Sequence, residues 1–453
     1  MTTRKRTFVW VPMVFAVVCI ANPTAPGHEY WVSPRGNDRA RGTQAAPWRT
    51  PQRAANQVVP GDTVHVLAGI YQGFNVPNGG TPSSSITFKA QAGAVIDRPV
   101  TISGNHYGIN VSGRDYVAIE GFTFRPGPRD PEWFAAVRIG GTGTPGELVR
   151  GNVIRGNKCQ MRTVGRSSIP DKYGIYTSWQ EGLLVESNVV SGTYNSGIYT
   201  ANSAVRPVIR GNHVFNGRAN GIHFNGDIGQ GGAGVIASAL IENNVVHDVG
   251  ESGGSAINCD GIQASIIRNN LLYNGHSKGI SLYRINAGRG SMNNVIVNNT
   301  IVMSGDGRWA VSIKNESTGN RVENNILLGQ LARSGGMSVA RDSLPKSRSD
   351  CNITNDRLST DDGDHLMGLS SWRSVTGLDS LSRVSQAANL FVDVPAGNYH
   401  LRAGSPAIDA ADSNAAPPSD IEGRLRPTGV SADIGAYEAE AQGVQRVNAK
   451  DPG

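Results

Sequence analysis

ALIENNVVHD (239–248), ASIIRNNLLYN (264–274), NVIVNNTIVM (294–303) and NRVENNILLG (320–329) are four copies of one line. LVRGNVIRG (148–156), LLVESNVVSG (183–192) and PVIRGNHVFN (207–216) add three more upstream. Each is a β-branched, aliphatic run with an asparagine near its middle: Asn152, Asn188, Asn212, Asn244, Asn270, Asn299 and Asn325. Successive asparagines are 36, 24, 32, 26, 29 and 26 residues apart. Self-similarity at a period of about 20–50 residues marks a solenoid, and short runs of Val and Ile make its units strands. A second periodic segment precedes the asparagine runs: YGINV (107–111), AAVRI (135–139), YGIYT (173–177), SGIYT (196–200), NGIHF (220–224), SAINC (255–259), KGISL (278–282) and WAVSI (309–313). Each coil is therefore expected to hold two regular strands plus turns. Parallel neighbours at this spacing leave no room for crossover helices, so the coils must stack directly as an all-β parallel β-helix. An asparagine at one position of every coil predicts a buried ladder of side-chain amides hydrogen-bonded along the axis.

The rest of the chain fits that frame. The 453 residues include 57 glycines and only 17% charged side chains, as many short strands joined by tight turns require. The formal net charge of +6 would favour an acidic partner such as a uronic-acid polysaccharide, nucleic acid or a cell-surface polymer. No basic block interleaved with aromatics is present, so nucleic acid is not expected as a partner. Arg4, Lys5 and Arg6 precede an apolar stretch from Phe8 to Ala21, with small residues at Ala21 and Ala25. This reads as a secretory signal over 1–26, too short for a membrane span, and predicts a secreted protein, extracellular or periplasmic. Beyond Cys19 only Cys159, Cys259 and Cys351 remain, which make neither a disulfide framework nor a zinc ligand set.

The ends differ from the middle, as caps of a solenoid should. Residues 27–105 are expected to hold an N-terminal cap and the first coils, with a short amphipathic helix from Thr50 to Val59 over the open end. The core with its ladder is assigned to 106–335, irregular coils and a closing segment to 336–438, and a disordered tail to 439–453. YWVSPRGNDRARGT, PWRTPQRAA and PGDTVHVLAGIY near the start, with SPAIDAA, DIEGRLRP and ADIGAYE near the end, resemble the corresponding segments of secreted bacterial right-handed parallel β-helix proteins. Polysaccharide lyases of the pectate and alginate type carry these segments. The resemblance implies a right-handed coil on a scaffold that hosts lyases, hydrolases, epimerases and adhesins; a monomer with a polysaccharide as its partner is expected.

Chemistry is expected on one face. In the xGIxx strands, Ile or Val points inward and its neighbours outward. One outward row reads Tyr176, Tyr199, His223, Asn258, Ser281, Ser312, and the row two residues on reads Ser178, Ala201, Asn225, Asp260, Tyr283, Lys314. Neighbouring strands lie about 4.8 Å apart, so these side chains form one patch, with Asp227 and Arg284 just past it. GDIGQGGAG (226–234) reads as a loop bordering the groove. His247, Glu251 and the Asp171–Lys172–Tyr173 turn are further lining candidates, as is His276, and Trp133, Trp179 and Trp309 are candidates for stacking on sugar rings.

Three reactions suit such a patch. β-Elimination on a uronic acid needs a base for the C5 proton and a cation that neutralises the carboxylate. Lys314, Tyr283 or His223 is the expected base, Arg284 the carboxylate partner, and Asp227 and Asp260 the oxygen ligands of a calcium ion. Asn225, Asn258, Tyr199, Tyr176, Lys278 and Ser281 are expected to bind substrate. In calcium-dependent lyases of the resembled kind the base lysine lies in a G-[FI]-K-L segment, where this chain has GISL with Ser281. The alternatives are glycoside hydrolysis by Asp227 and Asp260, C5 epimerisation, and a non-catalytic carbohydrate-binding face.

Overall fold

A single coil carries the whole construction. Strand Val208–Arg210 ends at Gly211, whose φ of 61° turns the chain through the left-handed region. Asn212 follows, buried, and strand His213–Gly217 leaves at the new angle. A bend leads to strand Asn220–Asn225, a loop closes the coil, and strand Leu240–Glu242 pairs in parallel with the first. Each coil thus holds three strands, not two. The repeated line is itself two strands, because the left-handed residue before each ladder asparagine forces a corner in mid-run. That residue is Gly156, Ser187, Gly211, Asn243, Asn269, Asn298, Asn324 or Cys351, with φ between 52° and 62°. Glycine and asparagine dominate the position because they enter this region at least cost.

The computed structural model describes residues 27–142, 144, 146–162 and 171–440, so the signal expected at 1–26 and the tail beyond 440 lie outside it. Three 12-stranded sheets run the length of the molecule. The first begins with Glu29–Val32, the second with Gly69–Gln72, the third with Phe74–Val76. Consecutive coils contribute adjacent parallel strands to each sheet. The fold is an all-β parallel β-helix.

Its interior is stacked aliphatic side chains: Ile154, Val185, Ile209, Ile241, Ile267, Ile296 and Val322 form one fully buried row of the first sheet. The ladder occupies the corner between first and second sheets. Asn157, Asn188, Asn212, Asn244, Asn270, Asn299 and Asn325 each pass a side-chain N–H to the Oδ1 of the next rung at 2.9–3.1 Å, and Asn352 accepts the last of these bonds. Asn152 is not a rung. It sits one corner earlier, accepting from the Val117 amide and donating to Gln180 at 3.2 Å. The strand register, Val153 opposite Leu184, places Asn157 level with Asn188.

Regular coils also continue beyond 335, through Met337–Val339, Arg348–Asp350, Ile353–Thr354 and Leu358–Ser359. Helix α1 (Pro51–Ala55), N-capped by Thr50, lays Pro51, Ala54 and Ala55 over the first coil. Helix α2 (Leu369–Thr376) closes the opposite end by inserting Leu369 and Trp372 into the same core. The segment around 390–438 does not cap that end. It packs sideways on the second sheet, where Leu390, Phe391, Tyr399, Ala407 and Ile434 meet Leu271, Val302, Ile326 and Leu328. Asn298 and Asn324 fasten it by donating to the carbonyls of Asp433 and Asp412. Cys159, Cys259 and Cys351 are free and buried. Among the described residues no helix is long and apolar enough to cross a membrane.

Candidate functional site

The third sheet presents the outward rows in the expected register: Tyr176 faces Tyr199, then His223, Asn258, Ser281 and Ser312. A third row lies three residues before the first, at Tyr173, Ser196, Asn220, Ser255 and Lys278. The glycine of xGIxx makes this possible. A Cβ at Gly174, Gly197, Gly221 or Gly279 would sit 2.2–2.5 Å from Val190, Val214, Val246 or Ile301 of the second sheet. Glycine there lets the strand press against the interior, and the residue before it turns outward.

Three chemically distinct zones follow along the axis. The first is aromatic. Tyr173, Tyr176 and Tyr199 lie 5.2–5.3 Å apart between ring centroids, and His223 meets Tyr199 edge-on at 4.8 Å. Burial raises the phenol of Tyr176 to about 12 and raises that of Tyr199 as well. Burial lowers His223 to about 4, so its imidazole is neutral at pH 7 and weakly basic.

The second zone is amide and hydroxyl. Asn225 donates to Tyr199 Oη at 3.0 Å, and Asn258 to Tyr283 Oη at 2.8 Å. Ser255 Oγ lies 2.7 Å from Ser281 Oγ and 3.2 Å from Asn258 Oδ1. Tyr283 is likewise raised by burial, so it stays protonated at neutral pH.

The third zone is basic. Lys278 is brought down to about 8, first by burial and then by the neighbouring charge of Lys314, with Arg308 adding to it. Lys314 Nζ pairs with Asp362 at 3.2 Å, and Arg284 with Glu316 at 2.9 Å.

This arrangement corrects several expectations. Asp260 is 2% exposed, and its two oxygens accept the amides of Ile285, Asn286 and Ala287 at 2.7–3.3 Å. It fixes the 284–290 loop instead of facing substrate, which removes one partner from the Asp227/Asp260 hydrolase pair. The same two residues do not fit calcium either. Asp260 is spent on backbone amides, and Asp227 caps Gly229 from a left-handed φ of 30°. Among the described residues no group of three or more His, Cys, Asp or Glu side chains is placed to hold a metal ion. Tyr283 and His223 are poor bases here, since burial favours the neutral form of each. Trp133 and Trp309 are fully buried and unavailable to sugar. Asp171 is spent on Arg162 at 2.6 Å, and His247 faces outward from the second sheet.

The 226–234 loop follows strand Asn220–Asn225 of the third sheet and is joined to the 284–290 loop by Ile228 N–H to Asn286 O and Gly288 N–H to Gly234 O. Arg138 was missed, although AAVRI places it level with Tyr176; it donates to Asn110 and Ser112 at 2.9 and 3.0 Å. Asp362 carries no sequence signal, because it reaches Lys314 from 48 residues away.

A family model described as a right handed beta helix region matches residues 84–228. The uncharacterized protein YwoF of Bacillus subtilis (strain 168) is 26% identical over 368 residues, spanning 68% of this chain and 76% of its own. The pectate lyase Pel9A aligns with a TM-score of 0.56 at 14% identity, covering 91% of this chain and 97% of its own. A glycoside hydrolase aligns with a TM-score of 0.52 at 12% identity, covering 83% of this chain and 99% of its own. At such identities the likeness is one of fold, and lyases and hydrolases share that fold.

Proposed function

We propose that this protein is a secreted lyase that cleaves an acidic, uronic-acid polysaccharide by β-elimination on the outer face of the third sheet. One observation carries the reading. Lys278 is a half-buried lysine whose ammonium is destabilised to about 8 beside the second cation of Lys314. A neutral amine is therefore accessible near physiological pH, where an ordinary lysine is almost wholly charged. In this reading Lys278 takes the C5 proton, and Lys314 with Arg308 holds the carboxylate whose neutralisation acidifies it. Tyr283 accepts its hydrogen bond from Asn258, which leaves its own proton free for the departing glycosidic oxygen. The tyrosines at 173, 176 and 199 supply an apolar floor for neighbouring sugar units. The base assignment thus moves from Lys314 to Lys278, because burial and the charge of Lys314 bring the Lys278 amine down.

The test is ultraviolet absorbance of unsaturated product on a panel of uronate polymers, for wild type, Lys278→Ala and Lys314→Ala. Absorbance that rises in wild type and is lost in Lys278→Ala supports the assignment. New reducing ends without unsaturation sink it in favour of hydrolysis, and inverted uronates in an uncut chain sink it in favour of epimerisation.

A further inference from the structure

The outer face of the second sheet carries a constellation that the candidate site does not use. His213 begins strand His213–Gly217, and His247 lies in strand Val245–Val249. They are diagonal neighbours, His213 opposite Val245 and His247 opposite Phe215. Their Nε2 atoms are 2.8 Å apart. His247 Nδ1 lies 2.6 Å from Asp248 Oδ2, and Asn274 donates to the other carboxylate oxygen. Asp248 has a φ of 52°, which departs from strand geometry at that residue and accompanies the turn of its carboxylate onto the adjacent ring. The His247 ring is clamped between Phe215 and Tyr273, with centroids at 5.3 and 4.5 Å and planes within 8° and 10°.

These contacts fix the protons. His247 donates its Nδ1–H to the Asp248 carboxylate, so the Nε2 of a neutral His247 carries a lone pair aimed at His213. His213 then donates from Nε2. If its proton moves to Nδ1, two imidazole lone pairs converge on one point, and no proton is gained or lost.

We propose that His213 and His247 form a two-histidine site for a late first-row divalent cation, with Asp248 as the residue that orients His247. Imidazole nitrogen suits copper, nickel and zinc, and a carboxylate behind a ligating histidine is the usual outer support of such sites. Nitrogens bound at about 2.0–2.1 Å to a tetrahedral ion stand about 3.3 Å apart, so the pair opens by about half an ångström. His247 is held on both faces, whereas His213 is only partly buried and rests on Phe215 at 4.6 Å. His213 is the ring that moves. Solvent completes the coordination, since among the described residues no third ligating side chain converges there.

The test is isothermal titration of the full chain, prepared without a polyhistidine tag, with Cu²⁺ and separately with Zn²⁺. One equivalent is expected to bind in wild type. His213→Gln and His247→Gln should each weaken that site more than tenfold, and Asp248→Asn by about 10- to 100-fold. Saturating Zn²⁺ should also raise the unfolding temperature of wild type and leave that of His213→Gln unmoved; cooperative unfolding of the variant without metal establishes that it is folded. Equal affinity and stoichiometry in wild type and His213→Gln, or no bound equivalent in wild type, would overturn the proposal.

Discussion

At the scale of single residues, position in the coil decides what a side chain can do. Lys278 and Lys314 flank strands of the third sheet, and burial brings the amine of Lys278 down to about 8. If it is the base, activity should rise with pH through about 8, as the amine loses its proton, and Lys278→Ala should lose at least about 100-fold in kcat. Lys314→Ala removes a neighbouring positive charge, so the midpoint of the profile should move to higher pH. Asp362→Asn removes the opposing negative charge and should move it lower. Initial rates across a pH series read both directions. A second prediction concerns Ser187, exposed and held at a φ of 56° before a ladder asparagine. Gly156 and Gly211 fill the same corner in neighbouring coils. Ser187→Gly should stabilise the protein by about 1 kcal/mol in denaturant unfolding, because glycine meets no left-handed penalty.

At the scale of the element, the ladder is a series of shared groups. Asn244 Oδ1 accepts from both the backbone and side-chain amides of Asn212, while its Nδ2 donates to Ile209 O and Asn270 Oδ1. Asn244→Ala removes a bond from all four partners in a dry corner, although Asn212 Nδ2 keeps Val185 O and Arg210 O and Asn270 Oδ1 keeps the backbone amide of residue 244. At about 1–3 kcal/mol for each buried group left unpaired, partly relaxed by the neighbours, the expected loss is about 3 kcal/mol. A ladder-end substitution such as Asn157→Ala interrupts one junction only and should cost less. Comparing the two unfolding midpoints tests whether the rungs act as a chain.

At the scale of the whole molecule, a solenoid is stable only if its open ends are covered. Trp372 of α2 is fully buried against the last coils, its Nε1 donating to Asp379 at 2.8 Å. Trp372→Ala should destabilise by about 3–5 kcal/mol. It should also promote self-association through the bared coil, measurable as a concentration-dependent mass in light scattering. The lateral docking of 390–438 guards a different surface, the flank of the second sheet, so truncating it should leave the end-to-end stack intact.

The sequence by itself determined the coil, because its causes are local. The asparagine corner, the glycine that admits close approach of two sheets, and the alternation that sets outward rows all repeat within single coils. The register of Tyr176, Tyr199, His223, Asn258 and Ser281 was legible for that reason. Asn152 was misread because LVRGN and VIRGN repeat the same motif one corner apart, and only strand pairing separates them. The state of each side chain was decided by tertiary structure. Asp260 looks like an exposed carboxylate until three amides of a later loop converge on it. Lys278 becomes distinctive only when Lys314 arrives from the next coil and burial removes its water. Desolvation and field depend on what stands across the groove, and a linear pattern does not carry that distance.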